Sequence, residues 1–394
     1  ITPTGVADGN GTHTVVIAGR EGVDGARYDF SVATGDTASD LTAKIADAVN
    51  NVLGSPMTAS STDYDTTFVS KWRGLTAAGL TVTIETGDDD FGIIYTPSTN
   101  QSGIGTPSVV AALDSFGDNW NTLVINTYGT VESVMDALEA YNGIADPTSP
   151  TGRFTGTIMR PFIALTGSVA DNPSTITDTR LDDMTIAICP APLSAGLPME
   201  AAANVCLLFA RKSQDNPHLD IQDMTYPDMP TPVSIGTMSD YNNRDSYVKK
   251  GCSTVALSGG KYQIKDFVTT YHPVGETPPA YRYCRNIMLD LNVYFGYYLL
   301  EQAYVVGKAI ASNDDIVTVQ SVIKPRDWRG IINSYATDLA SRALITDAAF
   351  MQDSIDVELS TTNPDRLETT FRYKRSAVAR IASTTAEAGF NFGN

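Results

Sequence analysis

The side chains that could do catalytic chemistry are few and stand far apart in this chain. The three histidines are His13, His218 and His272. A histidine serves as a general base or a metal ligand when a nucleophile or further ligands lie close to it, and none of the three has such residues beside it in the sequence. We therefore predict turn or surface positions for all three and no catalytic residue.

Acidic residues occur in pairs and in one short run. The pairs Asp182-Asp183 and Asp314-Asp315 could transfer protons, but both stand at the edges of predicted segments, where carboxylates commonly cap a helix. The run Gly87-Asp-Asp-Asp90 suggests a calcium site, because hard cations bind several carboxylates, yet it lacks the spacing of an EF-hand loop. We favour a solvated turn after a strand and predict no metal site.

The four cysteines do not form a ligand motif. They are Cys189, Cys206, Cys252 and Cys284, with no Cys-x-x-Cys pair among them. This wide spacing fits reduced thiols in a protein assembled inside a cell better than a disulfide scaffold, and it does not fit a four-cysteine zinc site. We predict that the cysteines are small buried side chains.

A glycine-rich phosphate loop is missing where a dinucleotide-binding fold would need one. Leu123-Val-Ile-Asn126 reads as a short apolar strand, and a helix is predicted after Thr130. Close approach of the backbone to a pyrophosphate requires several glycines at such a junction, whereas Asn126-Thr-Tyr-Gly-Thr-Val131 has one. No cofactor-binding site is predicted.

Length and charge limit the classes of function. The chain has 394 residues, enough for two or three domains with separate cores. It carries 45 acidic against 27 basic residues, a formal charge of −18, which argues against nucleic acid as the main partner because phosphate binding needs a concentrated positive surface. No run of 18 apolar residues occurs, so we predict no membrane insertion.

The fold class predicted from the pattern is α/β and α+β, in several domains. Residues 1–107 predict a small α+β module with a linker, in which a helix over 37–51 packs on strands at 14–18, 28–33 and 80–85. Thr37 is the predicted cap of that helix. From residue 108 to about 214, strands and helices alternate, which predicts a largely parallel sheet covered by helices.

The last third of the chain has three parts. Residues 262–271 alternate as a strand, a turn rich in proline and glycine follows, and one long, mostly covered helix is predicted from about Tyr281 to about Ser312. Residues 366–394 then contain five basic and two acidic residues, a formal charge of +3, which leaves −21 for the rest. A positive end on an acidic chain suggests docking to an acidic surface, although a solvated cluster is an equal alternative.

Several segments follow one another in a consistent order between Ser108 and Asn394. They are Phe116-Gly-Asp-Asn-Trp-Asn-Thr-Leu-Val-Ile-Asn-Thr-Tyr128, the stretch from Tyr241 to Gly260, Lys265-Asp-Phe-Val-Thr-Thr-Tyr271, the Tyr- and Arg-rich helix after it, and Asn363-Pro-Asp-Arg-Leu367. This ordered set resembles the contractile phage tail sheath proteins, and the Mu-like sheath family most closely. The resemblance implies a sheath-type core over 108–394 and an outward-facing module over 1–107.

The resemblance also implies a function without enzyme activity. A sheath subunit is a virion structural protein of a myovirus, assembled in the host cytoplasm, that forms a helical sleeve around the tail tube. Contraction drives the tube through the host envelope for DNA ejection. The implied partners are sister subunits, the tail tube protein, and the baseplate and tail terminator proteins. The sheath of a tailocin or another bacterial contractile injection system shares every feature, and an α/β enzyme is the less favoured alternative.

Three sets of residues are candidates for assembly contacts. In the sheath family the basic end approaches the tube, so the tube-contact candidates are Arg372, Lys374, Arg375 and Arg380. The final segment alternates like a strand, and a neighbouring subunit would receive its unpaired backbone through Ala382, Thr384, Ala386, Ala388, Phe390 and Phe392. Trp328, which has basic neighbours, is a possible interface anchor, with a half-buried core position as the alternative.

The sequence begins at Ile1, where we expect a removed or omitted amino-terminal arm. The sheath family places an extended arm there. We therefore expect the present chain to be monomeric.

Overall fold

The fold is mixed α/β and α+β and has several domains. The computed structural model describes residues 1–20, 24–71, 79–98, 103, 105–146, 148–155, 159–276 and 279–380. Within this part of the chain, buried apolar side chains form three clusters, the first between residues 7 and 93, the second between 113 and 291, and the third between 289 and 355.

The first cluster belongs to a small α+β module. Its elements are β1 (Thr2–Thr4), β2 (Gly11–Arg20), β3 (Asp24–Val32), α1 (Ala38–Asn50), β4 (Met57–Ser61), β5 (Thr66–Ser70), β6 (Thr81–Glu85) and β7 (Ile94–Thr96). The strands β3, β2 and β6 form an antiparallel sheet in that order, and β1–β7 and β4–β5 are antiparallel pairs. The sequence predicts the helix and the three-stranded sheet, but not the two pairs.

Helix α1 begins where the sequence places its cap. The Thr37 hydroxyl accepts a hydrogen bond from the Asp40 amide, and the Asp40 carboxylate accepts one from the Thr37 amide, which closes a capping box. Leu41, Ile45 and Val49 recur along one face and are buried against the sheet.

His13 lies inside the module, contrary to the predicted turn or surface position. It alternates on β2 with Val15 and Ile17, so the period of the strand turns all three side chains inward. The imidazole is 2.8 Å from the Tyr95 hydroxyl and stacks on Phe91, which makes it a hydrogen-bonded core residue.

The second cluster surrounds a parallel sheet. Its first elements are α2 (Val110–Asp114), β8 (Leu123–Asn126), α3 (Glu132–Asn142), β9 (Ile163–Ser168), α4 (Ser174–Thr177), β10 (Ile186–Pro190) and α5 (Pro198–Asp215). Strands β8, β9 and β10 are parallel with β9 in the middle, and every residue of β9 and β10 is buried. The predicted parallel sheet covered by helices is confirmed.

Close packing of α5 on β9 requires a glycine. A Cβ atom at Gly167 would overlap the carbonyl oxygen of Pro198, the first residue of α5. Because glycine lacks that atom, the start of α5 can lie directly against the middle strand.

An antiparallel pair and a long helix complete the second cluster. The elements are α6 (Tyr241–Lys249), β11 (Thr254–Ser258), β12 (Lys261–Asp266) and α7 (Cys284–Tyr304). Helix α7 is shorter than the predicted 281–312 because a turn follows Tyr304, with Gly307 at a φ of 80°. Its second half is also less covered than predicted, since Phe295, Leu299 and Tyr304 are exposed.

The third cluster holds the end of α7 and the elements after it. These are β13 (Ala309–Ile310), β14 (Val322–Ile323), α8 (Pro325–Ser341), β15 (Ile345–Thr346), α9 (Ala348–Asp353), β16 (Asp356–Leu359), β17 (Leu367–Thr370) and β18 (Lys374–Arg375). Strands β16 and β17 form an antiparallel hairpin, and β18 pairs antiparallel with β15. Residues 371–380 therefore form a C-terminal segment that returns to the body after the hairpin.

Candidate assembly surface

The hairpin β16–β17 presents open edges. It is a two-stranded sheet in the described part of the chain, in which Val357 faces Thr369 and Leu359 faces Leu367. Val357 and Leu367 pack on the third cluster, which leaves the alternate positions exposed. A two-stranded sheet carries backbone N–H and C=O groups on its outer edges that a further strand could pair with.

Trp328 holds this hairpin from inside the molecule. Its side chain is 1% exposed, its ring lies 5.7 Å from that of Tyr297, and its indole N–H donates to the Thr369 hydroxyl at 3.2 Å. The prediction of Trp328 as an interface anchor is therefore wrong for this structure, because the indole is not available to a partner at the surface. The reason is the apolar period of α8, which turns Trp328, Ile332 and Leu339 into the core.

Two of the four basic candidates stand at the surface. Arg372 is exposed, and its amide donates to the Ser354 hydroxyl at 2.8 Å. Lys374 is exposed, lies 2.5 Å from the Asp347 carboxylate, and has its ammonium 4.3 Å from the ring centroid of Phe350. Half-exposed pairs of this kind contribute little to stability, so Lys374 could exchange Asp347 for a carboxylate of a partner.

Arg375 is held by its own molecule. Its guanidinium donates two hydrogen bonds to Asp290, at 2.8 and 2.5 Å, and lies 4.9 Å from the ring centroid of Tyr281. Tyr373 donates to the same carboxylate at 2.7 Å. Burial opposes the charged form, but the hydrogen bond and the charge of Asp290 raise the pKa of Arg375 well above its usual value. A bidentate pair of this kind fixes β18 on α7.

Arg380 makes a second attachment to the body. It donates to Asp220 at 2.7 Å and also to Asp266, and its guanidinium lies 4.7 Å from the ring centroid of Tyr283. The side chain of Asp220 is 6% exposed, and burial raises the pKa of this carboxyl although the charge of Arg380 opposes the shift. Arg375 and Arg380 thus attach the C-terminal segment at two points five residues apart.

The acidic partners of these arginines were not predicted from the sequence. Asp290 interrupts the apolar run Ile287-Met-Leu-Asp-Leu291 on α7, and a lone acid among buried positions is the signal that could have indicated a buried ion pair. Asp220 and Asp266 stand in unrelated loop and strand contexts and gave no comparable signal. The predicted strand positions from Ala382 to Phe392 lie outside the described residues.

A perturbed carboxyl lies elsewhere, on α3. Glu139 accepts from Arg180, which also donates to Asp136 at 2.7 Å. Burial, followed by the negative charge of Asp183, raises the pKa of Glu139 to about 8, and the charge of Arg180 does not overcome these effects. Perturbed carboxyls occur at active sites and in structural ion networks alike, and the capping bonds of Asp183 to the Thr185 and Ile186 amides indicate a structural network here.

The other polar groups with possible chemistry have structural roles in the structure. In the run 87–90, Asp89 and Asp90 accept hydrogen bonds from the Phe91 and Gly92 amides, at 2.9 Å each, as in ordinary turns. Among the described residues, no group of three or more His, Cys, Asp or Glu side chains is arranged to hold a metal ion. No helix in the described part of the chain is long and apolar enough to cross a membrane.

The cysteines are free thiols. Cys189, Cys252 and Cys284 are buried and Cys206 is half-buried, and burial raises the pKa of all four thiols. A thiol with a raised pKa is a weak nucleophile at neutral pH, which agrees with the predicted role as small packed side chains.

Comparisons with known proteins find likenesses in solved structures alone. No family model matches the chain, and no curated protein does. Similar solved structures include a chain of the anti-feeding prophage baseplate, with 14% identity, 71% of this chain and 73% of that chain covered, and a TM-score of 0.47. A sheath tail protein of Desulfitobacterium hafniense has 10% identity, coverage of 92% and 76%, and a TM-score of 0.45.

A sheath tail protein of Listeria innocua has 11% identity, coverage of 96% and 79%, and a TM-score of 0.42. These structural neighbours are sheath and tail proteins of phage-like systems.

Proposed function

We propose that this chain is a structural subunit of the contractile tail sheath of a bacteriophage, without enzyme activity. The observation that carries the proposal is the open hairpin β16–β17, followed in the sequence by a terminal stretch, 382–392, that alternates like a strand. The resemblance of the ordered segments over 108–394 to sheath proteins supports the same function. Sister subunits form a helical sleeve around the tail tube, and its contraction drives the tube through the host envelope.

Strand donation explains how such a sleeve stays connected while it moves. A strand from one subunit that pairs with the hairpin of the next forms main-chain hydrogen bonds, which give affinity, while alternate side chains give register. The donor segment and the hairpin are different surfaces, so each subunit gives one contact and receives another. Contacts of this kind generate open helical arrays rather than closed rings when the rotation does not close.

The two proposed domains have different tasks in the sleeve. Residues 1–107 face outward, a role that fits a module whose buried residues between 7 and 93 form a cluster of their own. Residues 108–394 form the sheath-type core, in which 366–394 are the basic terminal segment and donated strand. Arg372 and Lys374 are the tube-contact candidates with the best access to a partner, because Arg375 and Arg380 are held by buried carboxylates.

The proposed partners are sister subunits, the tail tube protein, and the baseplate and tail terminator proteins, in a virion assembled in the host cytoplasm. Contraction proceeds from a metastable assembled state with free energy stored over many interfaces, so no nucleotide is consumed. The sheath of a tailocin or another bacterial contractile injection system requires the same subunit.

Electron microscopy of the full-length product tests the proposal. Contractile cylinders of uniform diameter support it. Discrete particles that turn over a small substrate or bind a nucleotide saturably contradict it and favour an α/β enzyme.

A further inference from the structure

An open cavity lies between the start of α7 and the C-terminal segment. Its volume is about 720 Å³. The described residues that line this cavity include Tyr283, Arg285, Tyr294, Phe350, Arg372 and Tyr373. Aromatic rings and guanidinium groups thus share one concave surface, which is the composition of sites that receive an anionic group on an apolar stem.

Arg285 is a buried cation without a carboxylate partner in the described part of the chain. The residue is 7% exposed, its Nε is buried without a hydrogen-bond partner, and its guanidinium lies 4.9 Å from the ring centroid of Tyr283. Burial lowers the pKa of Arg285, and the charge of Arg380 lowers it further, while Asp220 opposes the shift. Buried charges are normally paired, because removal from water costs several kcal/mol for an unpaired ion.

The neighbouring arginines show what Arg285 lacks. Arg375 has Asp290, and Arg380 has Asp220 and Asp266. Arg372, on the other wall of the cavity, is exposed and has no carboxylate partner among the described residues. Arg285 and Arg372 therefore line one cavity, and neither forms an ion pair with a carboxylate of the described residues, although the charge of Asp220 acts on Arg285.

We propose that this cavity receives a carboxylate side chain of a second copy of this chain. The inference rests on the proposed polymer, and the charge of the molecule supports a second copy as the occupant. The chain carries −18 overall and −21 outside residues 366–394, so a neighbouring copy offers carboxylates to a cationic cavity. The cavity and the carboxylate that it receives belong to different surfaces of the subunit, as an open helical array requires.

Two substitutions in the cavity and one outside it test the contact. Arg285→Met and Arg372→Gln each weaken self-association of the full-length product about tenfold or more in sedimentation velocity, because removal of one partner of a buried charge pair lowers affinity strongly. Arg211→Gln, which removes an exposed arginine on α5, leaves self-association unchanged. Equal association of the cavity variants and the wild type overturns the proposal.

Thermal unfolding distinguishes a binding role of Arg285 from a structural one. With no ion-pair partner among the described residues, replacement of the buried charge of Arg285 by an apolar side chain of similar length raises the Tm of the monomer. A structural role in the subunit predicts a lower Tm for Arg285→Met, and that result overturns the proposal.

Photo-crosslinking identifies the occupant. The substitution Arg372→p-benzoylphenylalanine in the full-length product yields chain-to-chain adducts when a second copy fills the cavity. Adducts within one chain, including those to residues 381–394, or adducts with a different protein alone overturn the proposal. Chain-to-chain adducts in soluble oligomers that never form cylinders support this contact but contradict the sheath function. A failure of the cavity contact is therefore distinguishable from a failure of the sheath function.

Discussion

At the scale of residues, Asp290 is the group on which the C-terminal segment depends most. This buried carboxylate accepts from both Tyr373 and Arg375. Asp290→Asn leaves Arg375 without a counter-charge, and we expect a loss of about 3 kcal/mol in the free energy of unfolding, the low end for a broken buried pair. Urea denaturation followed by near-ultraviolet circular dichroism measures it.

The matched control for Asp290→Asn is Asp347→Asn, which removes the partner of exposed Lys374. Asparagine can still accept the amide of Phe350 at the start of α9, so the cap is kept. The expected loss is much smaller than for Asp290→Asn, as for other exposed pairs. Equal losses in the two variants would show that burial does not set the strength of these attachments.

Glu139 gives the molecule a predicted dependence of stability on pH. Its pKa is about 8 in the folded chain and near 4.5 when unfolded, so the folded state binds more protons between these values. The free energy of unfolding therefore falls as pH rises from about 5 to 8. Glu139→Gln removes this contribution, and urea titrations at several pH values should show a flatter profile.

The control for Glu139→Gln keeps the buried carboxyl. Asp136→Asn removes the other, more exposed carboxylate on Arg180, and the fall in stability with pH should persist. An unchanged profile in Glu139→Gln would contradict the assignment of this dependence to Glu139.

At the scale of elements, the donated strand is the feature that a backbone substitution can test. Ala386→Pro together with Ala388→Pro removes two backbone donors from the terminal stretch, and proline cannot pair inside a sheet. We expect the variant to remain folded, because it leaves the described body intact, but to form no cylinders in electron micrographs of the full-length product.

Valine at the same two positions is the control for the proline variant. Ala386→Val and Ala388→Val keep both donors and favour a strand, so polymerisation should persist. Cylinders formed by the proline variant would show that this stretch does not link the subunits through its backbone.

Local signals explain which elements the sequence predicts. Thr37 and Asp40 specify the start of α1 within one turn, and the continuous apolar runs of β9 and β10 indicate buried parallel strands. The sequence predicts too long a helix α7, because apolar residues continue through Val306, whereas the turn at Gly307 ends the helix.

Contacts between distant parts of the chain explain which side-chain partners the sequence does not predict. Trp328 donates to Thr369, 41 residues later, and Arg380 pairs with Asp220, 160 residues earlier. His13 is buried because Tyr95 and Phe91 close over it. The burial of Trp328 and the acid at Asp290 follow the apolar periods of α8 and α7, but no periodic pattern encodes distant partners such as Thr369 and Asp220, so these partners could not be predicted from spacing.

At the scale of the whole molecule, ion pairs of two arginines fix the C-terminal segment to the body. The two arginine attachments end at residue 380, and the proposed donor stretch follows directly. In the proposed sleeve, a donated strand that begins at a fixed point on one subunit sets the position of the next subunit. A sleeve linked in this way can change the packing between subunits while main-chain pairing holds neighbours together.

Calorimetry tests whether the module over 1–107 is an independent cooperative unit. Its buried residues form a cluster distinct from the two clusters between residues 113 and 355, so we expect two unfolding transitions in the full chain. The module should contribute an unfolding enthalpy of about 70 kcal/mol near 60 °C, from the usual value per residue. A chain that begins at residue 108 should lose this transition and retain the other. A single transition in the full chain, shifted as a whole by the deletion, would instead show that the module and the core unfold together.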